Sequence, residues 1–116
     1  MLVADCLFCA IAAGELPSTE VVSTDLVYAF RDLHPVAPTH VLVIPREHIV
    51  DAAHIPPDHG DLLIEMFDVA RRVAAGDGLT ERGSRLVFNV GPDSGNSVAH
   101  LHLHVLGGRR LGWPPG

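Results

Sequence analysis

Three histidines, His100, His102 and His104, take alternate positions in the run HLHLHVL, with leucine or valine between them. Imidazole titrates nearest neutrality of all side chains, so it works as nucleophile, proton carrier or metal ligand around pH 7. In a strand, the two-residue period sends Leu101, Leu103 and Val105 to one face and the three imidazoles to the other, at intervals of roughly 7 Å. Three chemistries compete for such a row. A solvated strand face accepts any polar residue, but faces built for solvent mix Thr, Lys, Glu and Arg rather than repeat histidine. A hydrolytic zinc site needs its ligands on one ion; pairs at i and i+2 can share a metal, whereas three along one strand converge only if it bends. The third chemistry is attack on phosphorus by a neutral imidazole, which requires its second ring nitrogen to be oriented by a hydrogen bond and donors to face the phosphate oxygens.

The flanking residues favour the third. Upstream, GPDSGNSVAH supplies Gly91, Gly95, Asn96 and Ser97, a loop whose backbone N–H groups and hydroxyl suit an anion at the strand's edge. Asn89, on the preceding strand, can aim an amide at the same place. A phosphate carrying a sugar is the natural ligand.

The remaining elements must hold that row in place. CLFCAIAAG spaces apolar residues as a helix from about Cys6 to Ala13, stopped by Gly14. TEVVST and LVYAFRDL form a β-hairpin around Ser23, Thr24 and Asp25, and HVLVIP is a buried strand ended by Pro45. IPPDHGDLLIEMFDVARRVAAG opens on a proline pair suited to a helix N-terminus, stripes Leu62, Met66, Val69 and Val73 along one side, and closes at Gly76. SRLVFNV and VAHLHLHVL finish as strands. The pattern predicts one α+β domain over residues 1–116, with a mainly antiparallel sheet, one long helix and one short one.

Composition limits the partners. The net charge is −6, and the eight basic residues are arginines scattered from Arg31 to Arg110. Duplex nucleic acid and anionic membranes, which need clustered positive charge, are excluded as main partners. No run approaches the roughly 20 apolar residues of a membrane span. MLVADCLFCAIAAG has no basic residue ahead of its apolar stretch and is broken by Asp5, so it does not read as an export signal, and a cytoplasmic location is expected.

On these residues the sequence resembles the histidine triad (HIT) family. HLHLHVL matches its His-φ-His-φ-His-φ-φ signature, φ being apolar. CLFCAIAAGELPS, AFRDLHPVAPTHVLVIPREHI, GNSV and the closing HVLGGRRLGWPPG are similar to its Hint branch, the histidine triad nucleotide-binding proteins. Histidine rather than glutamine at position 104 resembles the hydrolases and not the galactose-1-phosphate uridylyltransferases. The resemblance implies a purine nucleoside phosphoramidase, which splits the P–N bond of a nucleoside 5′-phosphoramidate through a nucleotidyl-histidine, with no cofactor required for catalysis. It implies His102 as nucleophile, His104 as donor to a phosphate oxygen, Ser97 beside the phosphate and leaving amine, and His100 and His40 as the shell that orients His102. It further implies Asp32 and Leu33 at ribose and base, Asn89, Gly95 and Asn96 on the phosphate side, and Leu103, Leu7 and Phe8 among the substrate contacts. His34, His54 and His59 match no such position and read as surface residues; Arg71 and Arg72 read as the solvated face of the long helix.

Cys6 and Cys9 supply two ligands of a four-ligand zinc site, and the resemblance adds His48 and His100 as the other two, a thiolate–imidazole set suited to structural Zn²⁺. The alternative, small buried apolar residues in an amphipathic helix, stands beside it. The resemblance also implies a homodimer in which two five-stranded sheets join, with Trp113 as an interface anchor. Two other functions remain open: a nucleotide-binding regulator with residual hydrolysis, and a zinc-dependent interaction module.

Overall fold

The computed structural model describes residues 5–116; the first four residues of the N-terminal apolar run lie outside the described residues. Five strands form one antiparallel sheet in the order β1-β2-β3-β5-β4. They are β1 (Glu20–Ser23), β2 (Val27–Arg31), β3 (Thr39–Pro45), β4 (Ser84–Phe88) and β5 (Leu103–Gly107). The short helix α1 (Leu7–Ala12) lies against one face and the long helix α2 (Gly60–Gly76) against the other.

Alternation along the strands builds two apolar layers. Val27, Ala29, Val41, Val43, Leu101, Leu103 and Val105 meet the α2 stripe of Leu62, Met66, Val69 and Val73. On the other face Phe8, Ile11 and Ala12 of α1 pack on Tyr28, Phe30, Leu42 and Ile44. With both faces covered, all seven residues of β3 are buried, as a continuous apolar run in mid-sheet requires. Cys6 caps α1, its Sγ accepting from the Cys9 N–H at 3.3 Å. The far end of α2 is tied to the sheet through Asp77, which accepts two hydrogen bonds from Arg31 and one from the Thr39 hydroxyl.

The structure differs from the sequence expectation at three places. The proline pair Pro56–Pro57 precedes α2 in a turn instead of opening it, because His59 takes the N-cap position and Gly60 starts the helix. Strand β4 stops at Phe88, so Asn89 lies just beyond it. Most consequentially, β5 begins only at Leu103: residues 99–102 keep the alternation of faces but lie outside the ladder.

Candidate active site

Each triad histidine faces the α1 side, yet their surroundings differ. His100 is fully buried, His102 is 9% exposed and His104 is half-buried. A ring–ring distance of 5.0 Å puts His102 and His104 in contact. Phe8 sits edge-on to His102, with centroids 5.2 Å apart, and is itself held against Phe30.

Hydrogen bonds to main-chain groups fix the tautomers, because a carbonyl can only accept and an N–H can only donate. His102 Nδ1 lies 2.7 Å from the His100 carbonyl oxygen, so the proton is on Nδ1 and Nε2 carries the free lone pair. That is the arrangement a nucleophile requires. The Val36 N–H donates to His40 Nδ1 at 3.2 Å, which leaves the His40 proton on Nε2. His40 Nε2 is 2.9 Å from His104 Nδ1, which therefore accepts, and His104 in turn carries its proton on Nε2. His104 Nε2 is buried and has no hydrogen-bond partner among the described residues. The chain Val36–His40–His104 thus ends in an N–H donor awaiting an acceptor. Burial, followed by repulsion from His102 and His40, lowers the His104 pKa to about 4, so the ring is neutral near pH 7. His40 is lowered too, burial outweighing the pull of Asp32, whose Oδ2 lies 3.4 Å away.

Asp32, His40 and His104 also lie close enough together to suggest a metal, but the Val36 N–H argues against one. A neutral imidazole ligating through Nε2 bears its proton on Nδ1, the atom that already accepts from Val36. The cluster is built to pass on a tautomer.

Cys6, Cys9, His48 and His100 form the second cluster, their ligand atoms all within 4.8 Å of one another. Zinc with Zn–S near 2.3 Å and Zn–N near 2.0–2.1 Å has tetrahedral edges of roughly 3.3–3.8 Å. Cys6 Sγ to His100 Nδ1 is 3.2 Å, Cys9 Sγ to His48 Nδ1 is 3.4 Å and Cys9 Sγ to His100 Nδ1 is 3.5 Å. His100 Nε2 donates to the Pro45 carbonyl at 2.9 Å, leaving the Nδ1 lone pair facing the sulfurs with the outer-shell partner a metal-bound imidazole uses. Donor types and tautomer fit Zn²⁺, and the sulfur–nitrogen spacings lie within or just short of such edges, so the ion would serve as a structural centre; the nucleophile-like His102 is not among the ligands.

Several expected residues fall where substrate could reach them. Leu33 is 85% exposed, Leu7 is half exposed, Ser97 is exposed, and Asn89 and Asn96 are half-buried. The Asn96 Oδ1 is the other buried polar atom lacking a partner among the described residues. Asp32 accepts from the His34 N–H through Oδ1 and leaves Oδ2 toward His40.

Other expectations need correction. The Leu103 side chain is wholly buried in the α2-side core, as its place in the alternation demands, and cannot touch a substrate from there. Phe8 is 5% exposed and backs His102 rather than lining an open wall. The His100 imidazole goes to the cysteine cluster; it is the His100 carbonyl that orients His102. The Gly95 N–H is spent on Pro92 O and the Asn96 N–H on Ser94 Oγ, so these amides close the loop on itself instead of facing an anion. His59 is a half-buried N-cap paired with Glu47 and Asp58, not a plain surface residue. Sequence reading missed Val36 and Pro45, which act through main-chain atoms and carry no side-chain signal.

A family model described as HIT domain matches residues 13–111. The chain belongs to the histidine triad family. Among family members, the purine nucleoside phosphoramidase of Escherichia coli (strain K12) is 42% identical over 91% of this chain and 89% of its own. A 14 kDa zinc-binding protein of Zea mays is 44% identical over 95% of this chain and 87% of its own. A crystal structure of a HIT family hydrolase from Legionella pneumophila Philadelphia 1 superposes with a TM-score of 0.94, at 48% identity, covering 97% of this chain and all of that one.

Proposed function

We propose that this nucleotide hydrolase of the histidine triad family is a purine nucleoside phosphoramidase acting through a nucleotidyl-His102 intermediate. The observation that carries the reading is the pair of tautomers: a free lone pair on His102 Nε2 beside an unpartnered N–H on His104 Nε2. In the first step His102 Nε2 forms a bond to the α-phosphorus. The P–N bond breaks, its electron pair leaves on nitrogen, and that nitrogen takes a proton from solvent by way of the adjacent Ser97 hydroxyl and departs as the amine. His104 Nε2–H donates to a non-bridging oxygen as charge builds there. In the second step water adds to phosphorus and gives up a proton to solvent, the P–Nε2 bond breaks with its electron pair returning to Nε2, and the nucleoside monophosphate is released.

Asp32 and Leu33 stand at the ribose and base, and Asn89 and Asn96 at the phosphate. The reading is supported by the 42% identical relative named for this activity. The chain functions as a homodimer: β4 is a sheet edge carrying Leu86 at 42% exposure, and its Phe88 packs edge-on against Phe67 of α2, itself 43% exposed. Edge pairing of β4 would join two sheets and cover that patch, and Trp113, 82% exposed in the single chain, would gain a surface to pack on. Light scattering should give twice the chain mass of 12.4 kDa; a monomer would refute the assembly.

The test of the chemistry is His102→Ala assayed with an adenosine phosphoramidate. Turnover is expected to fall by at least about 10⁴-fold, as when a covalent nucleophile is removed, while AMP still binds. Turnover equal to wild type would remove the mechanism.

A further inference from the structure

We propose that the Cys6–Cys9–His48–His100 centre is a positioning device for His102, so that closing the centre on a zinc-type cation sets the nucleophile's orientation and the rate of the first chemical step. The inference rests on His102 being the nucleophile, as argued above.

The physical basis is the late start of β5. Ladder bonds hold residues from Leu103 onward, while the carbonyl that orients His102 belongs to His100, outside the ladder. His100 is instead anchored by its own ring: Nε2 on the Pro45 carbonyl at 2.9 Å and Nδ1 between the two sulfurs at 3.2 and 3.5 Å. One residue along, the Leu101 N–H donates to Ile49 O at 2.6 Å, and Ile49 adjoins the other imidazole of the centre, His48. Segments 45–49 and 100–101 are therefore pinned together around the cluster.

Phe8 supplies a second route. It lies between the two cysteines in α1, and its ring stands edge-on to both His100 and His102, at 6.0 and 5.2 Å. Any shift of α1 relative to His100 thus changes how the Phe8 wall of the His102 ring sits against the ring's hydrogen-bond acceptor. With protonated thiols, His100 Nδ1 accepts only weak S–H hydrogen bonds. With thiolates and both imidazoles fixed in tetrahedral geometry, the same atoms are held by coordinate bonds, and the His100 carbonyl keeps one place. His102 performs the chemistry in either case; what changes is how often its ring is correctly aimed.

The experiment compares the full-length chain in three forms: loaded with one equivalent of zinc, treated with chelator, and carrying Cys6→Ser with Cys9→Ser. Metal content, the long-range ¹H–¹⁵N spectrum of the imidazoles without substrate, and single-turnover cleavage of an adenosine phosphoramidate are read on each, with His48→Gln as an independent second variant. The zinc-loaded protein should show His102 as one Nδ1–H tautomer. The chelated chain and both variants should show that signal broadened or mixed and the cleavage rate constant reduced about 10- to 100-fold, the range seen when outer-shell support is lost, with KM nearly unchanged and zinc restoring the chelated sample. Identical imidazole spectra and rates with and without metal would overturn the proposal. So would failure to retain zinc, or global unfolding in chelator, since the centre would then hold the fold and not the ring. A zinc-dependent His102 signal in a protein that leaves the phosphoramidate intact would support the positioning while refuting the phosphoramidase reading.

Discussion

Replacing His104 separates the donor role from mere space-filling. Its Nε2–H is buried, unpartnered and held in that tautomer by the His40 Nε2 contact of 2.9 Å. If that N–H meets a phosphate oxygen whose charge grows in the transition state, His104→Ala removes one such donor, costing about 2.7–4 kcal/mol or 10²–10³-fold in kcat. His104→Gln puts an amide N–H near the former Nε2 and should recover most of the rate, to within roughly tenfold of wild type. Glutamine also disturbs the partner of His40 Nε2–H; with Asp32 Oδ2 3.4 Å away as a replacement acceptor, the stability loss should stay near the lower end of about 1–3 kcal/mol for an orphaned buried donor. Chromatographic AMP release at saturating adenosine phosphoramidate gives kcat, and urea titration gives stability. Equal losses for alanine and glutamine would refute the donor assignment, and full activity in His104→Ala would refute any role for the ring.

Acid should weaken the fold in two separate windows. The folded His104 pKa of about 4 lies below the ordinary 6.5, so the unfolded chain takes up that proton first. Its contribution is complete above pH 6.5 and is lost as pH falls toward 4; the unscreened gap is about 3 kcal/mol, which partial solvent access reduces to about 1–2 kcal/mol. His104→Gln should flatten urea midpoints between pH 6.5 and 4, and unchanged slopes would contradict the buried-neutral ring. Asp77 acts with the same sign in a lower window: the Arg31 hydrogen bonds hold its carboxyl below the ordinary 3.8, so its contribution is present above that value and is lost as pH falls through the lower folded pKa. Asp77→Asn should cost about 1 kcal/mol at neutral pH, because Arg31 is partly exposed, and nothing once the wild-type carboxyl is itself protonated; a constant difference down to the acid limit would show that charge is not the cause.

What the residues alone determined follows from local periodicity. The stripe of Leu62, Met66, Val69 and Val73 and the alternation of Leu101, Leu103 and Val105 depend on bond geometry repeated every 3.6 or 2 residues, and the buried faces agree with them. The same rule placed the three imidazoles on one side, and the CLFC, RDLHP and PTH segments marked the side chains that gather round them. Which atom of each imidazole carries the proton was decided only by the tertiary structure. That choice depends on the His100 carbonyl, the Val36 N–H and the Pro45 carbonyl, main-chain groups that every residue type possesses and that leave no trace in a sequence. The division of labour within the triad was hidden for the same reason: where the β5 ladder begins is a property of strand pairing, and it is this start at Leu103 that turns His100 toward the cysteines and leaves His102 free.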